Sequence, residues 1–188
     1  MGKSDIHLVT DNDEIEHQFR AVMRRLAGGV SIITAGRDED ITGMTVTSLT
    51  SLSASPPRLL VSVNRQASSF ALIERHGIFG VNILGSDQQE LASRFSNGRL
   101  KGPLRFDSAP WSAGTSGVPL LGNSLATIEC RVEEIIERYS HGIIVGSLLS
   151  FDLSPQLSGL VYWNGQYIEI KHELDLLWEN TIPLAHVR

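Results

Sequence analysis

The stretch TGMTVTSLTSLSAS at positions 42–55 carries the strongest fold signal in this chain. Eight of its fourteen residues have hydroxyl side chains: Thr42, Thr45, Thr47, Ser48, Thr50, Ser51, Ser53 and Ser55. Because side chains alternate across a strand, the stretch predicts one long strand around 42–53, with Thr45, Thr47, Ser51 and Ser53 on one face. Such a face is typical of a solvated strand surface, and it also suits a ligand with a flat polar edge and a phosphate tail. The residues alone leave both interpretations open.

Short segments with a strand pattern lie on both sides of this stretch. RLLVSVN at 58–64 and IFGVNIL at 78–84 alternate apolar with other side chains. Further strand patterns occupy 30–34, 125–136, 142–151 and a hairpin at 161–170, whose Asn164-Gly165 centre suits a type I′ turn. Strands joined mostly by short turns, without long intervening helices, indicate an antiparallel barrel or sandwich.

Three helices are predicted, one ahead of these strands and two between them. Residues 13–27 place Ile15, Phe19, Val22 and Leu26 on one apolar face, and Gly28-Gly29 ends that helix.

The other two helices are short. One covers about 67–76, and the other begins at Ser86, with Gln89 three residues on in a capping-box pattern, and runs to about Phe95. Residues 97–118 are rich in Gly, Pro and Ser and are predicted to form a long loop.

The composition is that of an ordinary globular domain, and it excludes several classes of function. The 188 residues include 16 Lys and Arg against 21 Asp and Glu, a formal net charge of −5, which argues against nucleic acid as the main partner. The one cysteine, Cys130, excludes an intrachain disulfide framework and a cysteine zinc cluster. No apolar run reaches the roughly 18–20 residues of a membrane helix, and the first residues hold no secretory signal, so we expect a cytoplasmic protein.

A second polar cluster, SVNRQASSF at 62–70, precedes and opens the helix predicted at 67–76. Ser68 and Ser69 can cap this helix or bind a phosphate, and the two roles are compatible because exposed backbone amides serve both. Four basic residues could supply countercharge to such a phosphate: Arg65, Arg94, Lys101 and Arg105. The chain has no Rossmann fingerprint, so a nucleotide site of that type has no support. It has no paired-histidine motif, so we expect no catalytic metal.

In combination, these segments resemble the flavin reductase-like family, the small NAD(P)H:flavin oxidoreductases that supply two-component monooxygenases. The resemblance covers about residues 17–170. The matching blocks, in order, are FRAVMRRLAGGVSIIT, GMTVTSLTSLSASPP, NRQASS, FGVNIL, SRFS, RF before a Trp, GVPLLGNSLATIECRV, SHGIIVG and GLVYWNGQY.

The resemblance implies a mainly β fold, a split antiparallel β-barrel of Greek-key type with a few short helices, and a homodimer with FMN or FAD near the subunit interface. It implies a flavin ring along Thr45, Val46, Thr47 and Ser48. It puts the ribityl-phosphate side near Ser62, Val63, Asn64, Ser68 and Ser69, with Arg105 where the family often has Lys. Many members use a Gly-Asp-His motif to hold the nicotinamide; here it reads Tyr139-Ser140-His141, so the resemblance assigns nicotinamide positioning to His141.

We therefore predict an NAD(P)H-dependent flavin reductase that passes hydride from NADH or NADPH to FMN or FAD and supplies the reduced flavin to a separate oxygenase. Two alternatives stay open: an oxidoreductase that keeps flavin as a prosthetic group, and a non-catalytic flavin-binding or sensor protein on the same barrel. The predicted domain spans 13–170, between an N-terminal arm at 1–12 and a C-terminal tail at 171–188.

Overall fold

The computed structural model describes residues 12–174. The helices are α1 (Asn12–Met23), α2 (Ser68–His76) and α3 (Gln89–Ser96), with a short 3-10 helix at Gly102–Arg105. The strands are β1 (Gly28–Gly29), β2 (Ser31–Arg37), β3 (Asp40–Val46), β4 (Thr50–Ala54), β5 (Pro57–Asn64), β6 (Ile78–Ile83), β7 (Trp111–Ala113), β8 (Pro119–Leu121), β9 (Ala126–Arg138), β10 (His141–Leu153), β11 (Gly159–Trp163) and β12 (Gln166–Ile170). The prediction of a mainly β, antiparallel fold is confirmed.

Seven of these strands form one sheet, in the order β3-β2-β6-β9-β10-β5-β4. In a flat sheet the two edge strands, β3 and β4, would lie roughly 29 Å apart, given the usual strand spacing. They are consecutive in the chain, however, and residues 47–49 are the only link between them, which spans at most roughly 14 Å. The sheet must therefore curl into a barrel. Within the described residues no strand ladder joins β3 to β4 or β5, so the barrel is open along this line, which we call the split.

The single long strand predicted around 42–53 is wrong. β3 ends at Val46, residues 47–49 leave the sheet, and β4 begins at Thr50 on the opposite edge. The shared face predicted for Thr45, Thr47, Ser51 and Ser53 therefore does not exist, because alternation holds only within one continuous strand.

Two hydrophobic clusters lie on opposite faces of β2. Ile33 belongs to the barrel interior with Val61 and Phe79, against which α2 packs. Ile32 belongs to the outer cluster, where the Phe95 ring of α3 meets other aromatic side chains. A strand covered on both faces needs no alternation of polar and apolar residues, which explains the run of buried residues in β2.

Helix α1 is shorter than predicted and its apolar face is uncovered. The helix ends at Met23, and Gly28-Gly29 form β1, which pairs with β11. Phe19 and Val22 are 61% and 66% exposed in the described chain. None of the helices between residues 12 and 174 has both the length and the apolarity to cross a membrane.

Two local predictions about caps and turns have opposite outcomes. The capping box at Ser86 is wrong: α3 begins at Gln89, and the Gln88 side-chain oxygen accepts a 2.9 Å hydrogen bond from the Gly85 N–H instead. The type I′ turn is confirmed, because Asn164 and Gly165 have φ angles of 51° and 85°. The predicted arm at 1–12 and tail at 171–188 lie almost wholly outside the described residues.

Candidate functional site

The split brings the β3–β4 linker against β5. The Ser48 hydroxyl donates a 2.8 Å hydrogen bond to the Ser62 carbonyl oxygen and crosses the split. The backbone of residues 47–49 makes no hydrogen bond to another backbone group in the part of the chain described. Thr47 is exposed and Ser48 half-buried. The linker therefore presents neutral hydroxyl and amide donors to whatever occupies the split.

The end of β5 brings Asn64 beside His141. The two residues are direct partners in the β5–β10 ladder, and Ser62 pairs with Ile143 on the same ladder. Residues paired across a ladder lie on the same face of a sheet, as do residues two apart on one strand. Ser62, Asn64 and His141 therefore lie on one face of the sheet. His141 is exposed, and its Nδ1 lies 2.8 Å from the Ser140 hydroxyl, which fixes one side of the ring.

The start of α2 lies across from β3. The Ser68 hydroxyl is 3.1 Å from the Thr42 hydroxyl, and Ser69 is buried. The capping role predicted for the two serines is wrong, because the N-cap residue is Ala67 and no side chain caps the helix. The first amides of a helix have no partner within it, so those of Ser68 and Ser69 are suited to an anion.

Three of the residues predicted to contact the flavin have side chains that face the protein interior or bond to another part of the protein. The Val46 and Val63 side chains belong to the buried core, so only their backbone can face a ligand. The Thr45 hydroxyl donates a 2.6 Å hydrogen bond to the Ala92 carbonyl oxygen in α3. These side chains support the site by packing in the core and by bonding β3 to α3.

Arg105 is a structural cation where the sequence suggested countercharge for a phosphate. Its side chain is 8% exposed and donates four hydrogen bonds to backbone carbonyls, those of Gly43, Phe95, Asn97 and Leu100. Four of the five N–H groups of its guanidinium are thereby used, and burial lowers the pKa of Arg105. The side chain lies at the end of α3, where carbonyls lack helical partners, so it ties β3 to α3.

A cleft of about 600 Å³ opens between α2 and the turn that joins β9 to β10, and sequence reasoning missed it. Its walls include Arg65, Glu74, Glu137, Tyr139 and Ser140. An ion pair of 2.5 Å joins the Arg65 guanidinium to the Glu137 carboxylate. The one available signal was the departure from Gly-Asp-His at Tyr139-Ser140.

Glu129 is a buried carboxylate that sequence reasoning missed. It is 0% exposed and accepts hydrogen bonds from Thr115, Ser116 and Ser150. Burial alone would raise the pKa of Glu129, but these hydrogen bonds outweigh burial and lower it to about 2. The signal was an acid inside the apolar segment TIECRV at 127–132. Glu129 anchors the loop at 114–117 and makes none of the contacts of the split.

Several known proteins are similar to this chain. A family model described as "Flavin reductase like domain" matches residues 23–171. The FMN reductase (NADH) RutF of Cronobacter sakazakii is 30% identical over 152 residues, 81% of this chain and 91% of that protein. The flavin-dependent monooxygenase reductase subunit HsaB of Rhodococcus jostii is 33% identical over 154 residues, 82% of this chain and 77% of that protein.

A solved structure shows the same similarity in three dimensions. The NADH:FAD oxidoreductase SgcE6 of Streptomyces globisporus, in complex with NAD and FAD fragments, superposes with a TM-score of 0.77 and 29% identity, covering 87% of this chain and 96% of that chain. The region matched by the family model contains every predicted site residue, from Thr45 to His141.

Proposed function

Because this chain belongs to the flavin reductase-like domain family, we propose that it is an NAD(P)H-dependent flavin reductase that supplies reduced FMN or FAD to a separate oxygenase. One arrangement carries the proposal: the Ser48–Ser62 hydrogen bond and the Asn64–His141 pairing bring together the linker at 47–49, the end of β5 and the start of β10.

The chemistry of these donors fits a flavin. Hydroxyls and free amides at residues 47–49 match the neutral acceptor atoms at the edge of the flavin ring. The open amides of Ser68 and Ser69 match its phosphate. Neutral donors bind the group without a buried ion pair, so they suit a flavin that binds and leaves.

The residues of this chain bind and orient, and the flavin when bound supplies the capacity to accept a hydride. Donors at 47–49 would face the edge of a bound flavin ring, where they would stabilise negative charge. His141, held at Nδ1 by the Ser140 hydroxyl, positions the nicotinamide. Proximity and orientation are the main contributions that such a protein makes.

The proposed assembly is a homodimer. Phe151 and Leu153 are each 72% exposed on the same face of β10, in addition to the uncovered face of α1. Contiguous exposed apolar side chains mark contact surfaces. Sedimentation that compares the mass of wild type with that of Phe151→Glu tests the dimer. A monomeric variant is the expected result, and an unchanged mass overturns the role of this surface.

The separate oxygenase is inferred from relatives such as HsaB, and the cytoplasmic location stays a prediction.

NADH oxidation with and without added FMN or FAD tests the function. A rate that rises and saturates with free flavin is the expected result. A purified yellow protein that oxidises NADH without added flavin supports the prosthetic-group alternative. Flavin binding with no oxidation of NADH or NADPH overturns the proposal in favour of a sensor.

A further inference from the structure

We propose that Gly28 is a positioning residue for flavin binding: because it has no side chain, the β3–β4 linker at 47–49 can lie where its donors face the split. This inference rests on the proposed function, and it adds a residue outside the segments that the flavin is expected to contact.

Contacts of three kinds hold the linker in place. Leu49 packs against the barrel interior, and the Ser48 hydroxyl donates a hydrogen bond to the Ser62 carbonyl oxygen. Thr47 is exposed and lies against Gly28, where an added Cβ would be 2.9 Å from the Thr47 Cβ and 3.4 Å from its carbonyl oxygen. Carbon atoms in ordinary contact are about 3.5–4.0 Å apart. A side chain at position 28 therefore requires one of the two segments to move.

The strand β1 is the fixed side of this contact. Gly28 pairs with Tyr162 in the ladder between β1 and β11. The segment ahead of it is held as well, because the Trp163 indole N–H donates a 3.1 Å hydrogen bond to the Arg25 carbonyl oxygen. The backbone at 47–49 makes no bond to another backbone group in the described part of the chain. A side chain at position 28 would therefore move the linker and leave β1 where it is.

This movement would carry the linker toward the split. Gly28 lies just ahead of β2 in the chain, and β2 is the neighbour of β3 in the sheet, whereas the split runs along the other side of β3. Because the linker continues from β3, displacement away from β1 takes it into the space between β3 and β5. The overlap to be relieved is roughly 1 Å, and a displacement of that size misaligns donors that would meet a flavin ring.

Gly29 provides a matched control in the same strand. A Cβ added to Gly29 would have no atom within 4 Å, and neither Gly28 nor Gly29 has a positive φ. Alanine therefore adds no backbone strain at either position, and the entropy that it removes from the unfolded chain is the same for both. A difference between Gly28→Ala and Gly29→Ala then comes from the contact with Thr47.

Fluorescence titration with FMN and with FAD compares wild type, Gly28→Ala, Gly29→Ala, Thr47→Gly and the double variant Gly28→Ala/Thr47→Gly. Gly28→Ala should raise the flavin dissociation constant roughly tenfold, the size of one lost hydrogen bond, and Gly29→Ala should bind as wild type does. Thr47→Gly removes the Cβ that the new methyl group meets. Adding Gly28→Ala to Thr47→Gly should therefore change the dissociation constant by less than about twofold.

The outcomes distinguish this inference from the proposed function. Wild type that binds neither FMN nor FAD overturns both. Wild type that binds flavin and oxidises NADH, beside a Gly28→Ala variant of unchanged affinity, overturns the positioning role alone. An equal loss when Gly28→Ala is added to Thr47→Gly does the same, because the effect would not pass through Thr47. Thermal melts supply the last comparison: a Gly28→Ala variant that does not fold, beside a folded double variant, overturns the positioning role, because the overlap would then disturb the fold.

Discussion

Replacing Glu129 by Gln is expected to remove a pH-dependent part of the stability of this protein. The Glu129 carboxylate accepts hydrogen bonds from the Thr115 N–H at 3.1 Å, the Thr115 hydroxyl at 2.7 Å and the Ser150 hydroxyl at 2.9 Å, in addition to the Ser116 N–H. Glutamine keeps the size of the side chain but replaces one acceptor oxygen by an NH₂ donor. That donor would face N–H and O–H groups, and at least one buried hydrogen bond would be lost.

The magnitude follows from the shift in acidity. Burial raises and the hydrogen bonds lower the pKa of Glu129, with a net change from 4.5 to about 2. Because the folded-state pKa lies below the unfolded-state value, the ionised carboxylate stabilises the folded protein fully above that unfolded value. The contribution is lost as the pH falls from 4.5 toward about 2. A shift of this size corresponds to a free energy of unfolding on the order of 3 kcal/mol.

Urea unfolding of wild type, Glu129→Gln and the control Glu134→Gln, from neutral pH to about pH 2, measures this contribution. At neutral pH the Glu129 variant should be on the order of 3 kcal/mol less stable than wild type, and the control should match wild type. The difference should shrink below pH 4.5 and vanish near pH 2. A difference that stays constant over this range would refute the reasoning, because it would have to come from packing.

Three further substitutions test the site and its support. His141→Ala should raise the KM for the pyridine nucleotide with flavin affinity nearly unchanged in a fluorescence titration; equal loss of both contradicts the role given to His141. Arg105→Met removes the donor of four backbone carbonyls, of which those of Gly43 and Phe95 are buried. At about 1–3 kcal/mol for each buried carbonyl left without a partner, it should lower the free energy of unfolding by roughly 2–6 kcal/mol and weaken flavin binding. Arg105→Lys should lose clearly less, and a fully stable Met variant argues against the tie. Gly142→Ala should lower stability by about 1–3 kcal/mol in thermal melts, because the new Cβ overlaps the Phe70 ring; an unchanged melting temperature shows that the ring can move.

Local patterns in the sequence predicted the elements that depend on local geometry. The alternation at 58–64 and the turn at Asn164-Gly165 follow from neighbouring residues alone, and both are confirmed. The site segments were found by resemblance rather than by periodicity. Their meeting depends on the ladder between β5 and β10, whose strands are more than seventy residues apart in the chain.

The long strand predicted around 42–53 failed for a physical reason. Residues 47–49 leave the sheet because the chain passes from one edge of the barrel to the other. The types of these three residues do not predict a break in the strand. The sequence likewise offers no sign that Arg105 bonds to backbone carbonyls of β3 and α3, because neither segment adjoins it in the chain. Contacts between distant segments override local preference in each case.

The strand order also determines when this sheet can be completed during synthesis. β6 and β5 are made within the first 83 residues, whereas the hairpin that lies between them, β9 and β10, comes from residues 126–153. Until that hairpin leaves the ribosome, β6 and β5 each have an unpaired edge, and such edges template aggregation. Pairings between distant segments also form slowly. Truncation ahead of residue 126 would therefore expose two strand edges in the middle of the sheet, and the shortened chain would depend on chaperones to stay in solution.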